Sequence, residues 1–409
     1  MTAPRDAARR VTGRAPARWE RLGAGQIALL GAATAVLPLT IDLYLPALPT
    51  IAADLGTGSF GLQLSLTATV MGVAVGQLVV GTLSDRVGRR APLIGGFLGF
   101  VVASVACALA STLPAFLAGR FLQGLFASAG IAVTLAVLRD HVSGPALSRG
   151  VARLLLVRGA GPILAPPLGA LVLVVTGWRG LFALLAGFGL LVLVALFRSL
   201  PESLPREQRR AVPAAAIART YAELVVDRSF VFPGLVSALG FAAMFAWLAA
   251  GSFVLQGAYG LSELEYGLVF ALAAACVIVT AQVVPAIADR TGALRLLRLS
   301  PLLGVGAAAT LAVLAAADAA PLAVVVVLVM VTFVAVGATL TLAPSIALSG
   351  QPPARAGQAS GLLGVMQFAL GGLAGPLVGV LGTGSAFGMA VVMAATFALA
   401  AVMGALSRT

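Results

Sequence analysis

The sequence predicts an all-α membrane protein: twelve transmembrane helices in two pseudo-symmetric six-helix bundles. Three observations lead there. The chain holds long charge-free apolar runs, its arginines gather on one side of those runs, and one charged loop recurs half a chain later. Of 409 residues, 60% are hydrophobic and 10% charged, and the mean hydropathy is +1.07. No charge falls between Arg228 and Glu263, between Asp318 and Arg355, or between Arg355 and Arg408. A membrane-crossing helix needs about 20 mostly apolar residues, so each of these stretches holds at least one. Such a composition excludes a water-soluble enzyme and a nucleic-acid binder. The net charge of +12 calls for a membrane explanation.

Residues 1–23 carry Arg5, Arg9, Arg10, Arg14, Arg18 and Arg21 before the first apolar run. That run is too long for a signal peptide and many more follow, so the segment reads as an uncleaved cytoplasmic tail. Breaking the apolar runs at charges, Pro and Gly gives spans at 24–46, 61–82, 92–111, 114–138, 151–175 and 179–199. Six more follow at 230–256, 264–288, 299–317, 321–348, 357–381 and 385–406. Gly382-Thr383-Gly384 is the turn between the last two. The polar segment 201–228, "PESLPREQRRAVPAAAIARTYAELVVDR", divides the chain into bundles at 24–200 and 229–409. Within it, Ala214 to Val226 suits a short surface helix.

Every one of the 26 basic residues is Arg. With the N-terminus inside, 23 of them fall in inner segments, Arg120 and Arg158 lie within spans, and Arg179 alone lies outside. The outer loops hold Asp54, Glu263, Glu265 and Asp318. Positive residues mark the cytoplasmic side, so a multi-pass protein of the cell membrane with both termini cytoplasmic is expected.

The halves echo each other. "GTLSDRVGRR", Gly81 to Arg90, follows the second span, and "PAIADRTGALR", Pro285 to Arg295, follows the eighth. Asp85-Arg86-x-Gly88 matches Asp289-Arg290-x-Gly292 at an offset of 204. Gly161-Pro162 is echoed by Gly375-Pro376. Parallel repeats of this kind are a transporter plan, with substrate held near the midplane between the halves. In the first loop, Arg86, Arg89 and Arg90 suit the topology rule alone. Asp85 and the glycines do not, because Asp contributes little to orientation. Gly81 permits close helix contact and Gly88 a tight turn. An inner charge cluster of Asp85 with these arginines, joined by Arg139 and Asp140 and by the second copy at Asp289 and Arg290, can latch the halves and break when they rock.

These stretches carry a resemblance. "GTLSDRVGRR" resembles the loop 2–3 signature of the major facilitator superfamily. "DLYLPALPTIAADLG" from Asp42, "RFLQGLFASAG" from Arg120, Arg139-Asp140, "PILAPPLGALV" and "GWRGLF" resemble the Bcr/CflA-type drug:proton antiporters within it. The likeness covers nearly the whole chain. It implies a two-bundle rocker that exports drug-like compounds, and it gives Asp85 the role of an inner-gate switch. The second copy departs from the pattern: Pro285 stands for the leading glycine, and Ala293-Leu294 for the paired arginines.

Within the spans, Asp42 and Arg120 are the candidates for proton coupling. Intramembrane charges are costly and face an interior or a cavity. Asp42 lies 18 residues past Ala24 and Arg120 lies 19 before Arg139, so at ~1.5 Å per residue both sit at similar depth. A mutual ion pair in the outer half is therefore geometrically allowed. Burial favours the neutral acid and a neighbouring guanidinium the carboxylate. The resemblance points to the same two residues.

Arg158, in "LLLVRGAGPILAPPLG", either snorkels to the inner face or lines the cavity and favours anionic or polar substrates. The resembling subfamily usually carries an uncharged residue there. Gly161, Pro162, Pro166 and Gly169 resemble the antiporter motif of span five, as a hinge or as plain packing. Tyr44, Gln123, Met244, Trp247, Gln282, Met366, Gln367 and Phe368 join Arg158 as candidates for a tolerant substrate cavity.

"GTGSFG", Gly56 to Gly61, fits a dinucleotide fingerprint but has no preceding strand, so it is a turn. His141 is the only histidine, no Walker A pattern exists, and Cys107 and Cys276 sit in apolar runs. No enzyme activity, cofactor, metal or nucleic acid is expected. The reading is a monomeric secondary exporter of small amphipathic compounds in exchange for protons. The alternative is an exporter or importer of one metabolite on the same fold.

Overall fold

In the computed structural model, residues 23–142, 144–209, 214–352 and 355–407 are described, and among them the chain is helical with no strand. Helix α1 (Ala24–Asp42) contains Pro38 and stops at Asp42. The chain continues through a 3-10 turn at Leu45–Ala47 into the short α2 (Leu48–Asp54). The expected first span at 24–46 is therefore regular only to Asp42. Pro46 and Pro49 remove the N–H groups that would carry the α-helix on. Then follow α3 (Ser59–Val87), α4 (Arg90–Leu109), α5 (Leu113–His141), α6 (Gly144–Ser199) and α7 (Ala214–Val226).

The second half holds α8 (Arg228–Ser252), which runs into a π-helical turn at Phe253–Ala258, and α9 (Glu263–Thr291). It ends with α10 (Ala293–Ala316), α11 (Leu322–Ser349), α12 (Ala356–Leu381) and α13 (Phe387–Leu406). Among the described residues, eleven helices are long and apolar enough to cross a membrane. One of them, Arg149–Ser199, is broken at Gly177 (φ 66°), a left-handed conformation that glycine tolerates. It crosses twice, which makes twelve crossings.

Helix α10 starts six residues before its expected span at 299. Arg298 is no boundary: it donates to the carbonyls of Gly404 (3.3 Å) and Ser407 (2.8 Å). It thereby satisfies orphan acceptors at the end of α13, which lets a charge live inside a helix.

Two six-helix bundles result. In the first, α3 and α4 pack on α5, while α1 and α4 pack on α6. Small residues let these backbones approach, as apolar helices in lipid require. A Cβ at Gly72 would collide with the Phe121 carbonyl, and one at Gly124 with that of Thr69. In the second, α8 packs on α11, α12 and α13, α10 on α11 and α13, and α9 on α11. The bundles meet along α3–α12 and α6–α9.

The hydrogen bonds that join the bundles gather at the end carrying α2. Gln256 donates to Pro46 O (2.9 Å), Thr383 to Ser59 Oγ (2.8 Å) and Thr67 to Gly372 O (2.7 Å). Gly267 of α9 lies against the backbone of Pro166 and Pro167. Toward the opposite end, which carries α7, Gln282, Asp289 and Arg290 are exposed. The α2 side is closed.

Candidate functional site

Asp42 is the last residue of α1, only 4% exposed. Arg120 is fully buried on α5. The ion pair that their similar depth allows is not formed. Arg120 donates to the Thr40 carbonyl (3.0 Å) and to Gln123 Oε1, and its guanidinium stands over the Tyr44 ring at 4.1 Å and the Phe182 ring at 5.5 Å. The reason is local. Ending α1 at Asp42 leaves the Thr40 carbonyl without a helical partner, and a cation is the natural cap at the negative end of a helix. Equal depth along two helices did not reveal that claim on the arginine.

Gln123 in turn donates to Ser104 Oγ (2.8 Å), and Tyr44 Oη lies 2.9 Å from Ser65 Oγ. Asp42 itself has no hydrogen bond or ion pair among the described residues. Across the bundle seam, the Tyr266 phenol of α9 is within electrostatic range of Asp42 and Tyr44. Its hydroxyl is buried without a partner, as is Arg120 Nε.

The candidate cavity residues fall into separate environments. Tyr44 and Gln123 belong to the closed Arg120 network. Trp247 and Phe368 are buried in the second bundle, edge-on to Phe333 (6.1 Å) and Phe241 (5.2 Å) respectively. Met244, Met366 and Gln367 are half-buried, with Gln367 bound to Ser237 (2.7 Å). Arg158 on α6 and Gln282 on α9 are exposed. As for the hinge candidates, α6 stays helical through Pro162 and Pro166 and breaks at Gly177 instead. Gly161 and Gly169 are close-approach points, against Pro38 and the Leu43 carbonyl of the α1 segment.

The loop between α3 and α4 is a dense charge cluster. Arg89 is 2.5 Å from Asp85 and 3.1 Å from Asp140, and it also donates to Ser84 Oγ (2.8 Å). Ser203 donates to the same Asp140 oxygen (2.9 Å). Arg90 donates to the Phe197 carbonyl (2.7 Å) and stacks over that ring at 5.5 Å. Gly88 turns at φ 102°. Gly81 meets nothing within 4 Å of where a Cβ would be, so the close helix contact expected of it is not made here. Arg86 and Arg139 are exposed on the same end. The cluster joins the first bundle to the segment after α6, not to the second bundle.

Its centre is a residue that sequence reasoning missed. Glu202 accepts from the backbone N–H of Arg89 (2.7 Å) and Arg90 (3.3 Å), capping α4, and lies 3.7 Å from Arg209. The signal was an acid beside Pro201 just past the sixth span, opposite a helix start with no capping side chain of its own. Glu223 of α7 was missed likewise. It pairs with Arg355 (2.9 Å) while Leu224 is buried against Phe230, Ala359 and Leu363, so α7 is docked on the second bundle.

A family model described as the Major Facilitator Superfamily matches residues 30–376, and the chain belongs to that superfamily. It is 33% identical over 385 residues to the "Uncharacterized MFS-type transporter YdgK" of Bacillus subtilis (strain 168), covering 94% of this chain and 92% of that protein. It is 31% identical over 370 residues to a chloramphenicol resistance protein of Pseudomonas aeruginosa, covering 89% and 84%. The fold is similar to that of a bacterial homolog to the human lysosomal transporter Spinster, solved inward-facing and occupied. The TM-score is 0.74 at 15% identity, over 93% and 95% of the two chains.

Proposed function

We propose that this member of the major facilitator superfamily is a proton-coupled exporter of small amphipathic compounds, of the Bcr/CflA type, working by alternating access in the cell membrane. The α7 side is cytoplasmic in this reading, as the arginine distribution requires. The bundles at 24–200 and 229–409 rock about substrate held between them, with 201–228 as linker. The chain works as a monomer. The resemblance to a chloramphenicol resistance protein supports the export of drug-like compounds.

The observation that carries the reading is Asp42: an acid without a partner among the described residues, sealed at the seam on the closed α2 side. Sealing a carboxylate between two bundles is expensive, and sealing the neutral acid far less so. Protonation therefore decides whether the α2 side can shut. With that side open, water reaches Asp42 and it loads a proton. The bundles then close over the neutral acid, the α7 side opens, and the proton leaves to that side as substrate is taken up there. Arg120, held by the Thr40 carbonyl, Gln123 and two aromatic faces, stays a fixed positive charge at the end of α1. Each 100 mV across the membrane is worth ~2.3 kcal/mol per charge, on the order of 50-fold accumulation per proton.

The test uses a pump-deficient host carrying wild type or Asp42→Asn, read as growth across a panel of antibiotics and dyes that includes chloramphenicol. Protection by wild type that vanishes in the variant is expected. If the variant protects as well as wild type, with unchanged pH dependence, Asp42 has no part in coupling. If wild type protects against nothing, the alternative of one dedicated metabolite takes over.

A further inference from the structure

Arg158 differs from Arg120, the other cation placed within a span. Arg120 is bonded to the Thr40 carbonyl and Gln123, with the Tyr44 and Phe182 rings against it. Arg158 makes no hydrogen bond, ion pair or aromatic contact among the described residues. It stands nine residues past Arg149, where the apolar span of α6 begins, about 13.5 Å along the helix. Its side chain is exposed.

The helix geometry says what that surface faces. Leu155, about 60° around α6 from Arg158, is 58% exposed, and on the opposite side Leu156, Leu164 and Leu171 are 67%, 55% and 54% exposed. At about 100° per residue, Arg158 lies roughly 120–160° around the helix from all three. Its neighbours fix the remaining directions. Val157 packs on Gly31 of α1, and Gly159 on Ile278 of α9 (3.7 Å). Arg158 thus points between α1 and α9, toward the interior. Further along that face α6 is shut: Ala165 is fully buried and Gly169 lies on the Leu43 carbonyl. Gln282, one turn past Ile278 toward the α7 side, is exposed on α9. The guanidinium and this amide flank the place where α6 and α9 part, on the α7 side of the sealed Asp42.

An intramembrane cation without a counter-ion is a costly arrangement that function must repay. Its planar fork matches a carboxylate or sulfonate with two parallel hydrogen bonds. Leu155 and Ile278, both with open surface, supply apolar wall for the rest of a ligand. Asp42, the nearest intramembrane acid, lies behind the seal. We propose that Arg158 reads substrate charge in the open cavity, and that the compounds this protein carries are amphipathic organic anions held by Arg158 with Gln282 on the facing wall. This rests on the export reading and narrows its substrate class.

The experiment separates binding from transport. Purified protein in detergent is titrated with amphipathic acids (salicylate, nalidixate, fluorescein) and with their uncharged amides. Wild type is expected to bind at least one acid ten times more tightly than its amide. Arg158→Gln should lose that preference, and Arg158→Lys should keep most of it. Equal affinity for acid and amide, binding of no acid, or a preference that survives Arg158→Gln overturns the proposal. The same acid is then offered to everted vesicles under a proton gradient. Arg158-dependent binding without proton-driven accumulation keeps the substrate class and sinks the export reading. Accumulation of neutral or cationic dyes that Arg158→Gln leaves untouched does the reverse.

Discussion

The two loops that carry Asp-Arg-x-Gly share a backbone and little else. Gly88 turns at φ 102° and Gly292 at φ 90°, each directly after the second crossing of its bundle. A Cβ at Gly88 would run into the Glu202 carboxylate, whereas the same position at Gly292 is open. Around the first turn, Arg89 gathers Asp85, Asp140 and Ser84, and Glu202 caps the helix that follows. Around the second, Asp289 and Arg290 make no hydrogen bond or ion pair among the described residues. Ala293-Leu294 stands where the paired arginines would be, and Arg298 has been drawn away to α13. Duplication preserved the turn, because glycine at positive φ is a steric demand. It did not preserve the latch, because that depends on acids supplied from elsewhere in the chain. The locking chemistry of the α7 side is therefore concentrated in one bundle.

The sharpest way to break this contrast is to truncate one arginine in each loop. Arg89→Ala strips one cation from two carboxylates, and removing one partner of a buried pair costs about 3–5 kcal/mol. With Asp85 half exposed, about 1–3 kcal/mol is expected, read as a fall in thermal midpoint in detergent together with lost drug protection. Arg290→Ala should stay within about 0.5 kcal/mol of wild type, as exposed sites do. Equal effects of the two changes would erase the asymmetry.

Next in size is Glu202→Ala. Losing a helix cap costs about 1 kcal/mol, and the exposed link to Arg209 adds at most about another. Hydrogen exchange should quicken at the first turn of α4 and stay unchanged at the first turn of α10. Unchanged exchange in α4 would mean that Glu202 is a bystander.

The smallest effect concerns the second bundle's own anchor. Burial alone would push the Asp227 carboxyl up. Hydrogen bonds from the Ser229 and Gln351 side chains and from the Ser229 and Phe230 backbone outweigh it and hold it below the usual carboxylate range. A depressed value in the folded state stabilises the protein above the ordinary Asp pKa of ~3.9, and that contribution drains away as pH falls below it. Asp227→Asn should lower stability at neutral pH, leave it nearly unchanged at acid pH, and so flatten the acid limb of the stability curve. An acid limb as steep as that of wild type would count against it.

Much of the fold was legible because lipid imposes one rule on every crossing. Apolar length gave the spans, and Gly177 falls in the gap left between 175 and 179. Errors came where a polar group had a private partner. Arg298 looked like the edge of a helix but caps another one. Pro46 and Pro49 ended α1 sooner than hydropathy suggests. At the site, the depths of Asp42 and Arg120 were readable from spacing, while the guanidinium's choice of the Thr40 carbonyl over Asp42 depends on where α1 stops. Glu202 was invisible as an actor, because its partners are backbone N–H groups more than a hundred residues away. Arg158 shows the reverse: its oddity was plain in the sequence, and only helix packing tells which way it faces.

The linker has a mechanical consequence. Its first part, through Glu202 and Arg209, is fastened to the first bundle, and its second part, α7, is fastened to the second bundle by Glu223, Leu224 and Asp227. Four residues lie between Arg209 and Ala214. At about 3.4 Å per residue, those five steps can stretch to about 17 Å and no further. The connection is then a leash of fixed length, tied to both jaws on the α7 side. The reach between the two bundles on that side is therefore bounded by the thirteen residues between Arg209 and Glu223.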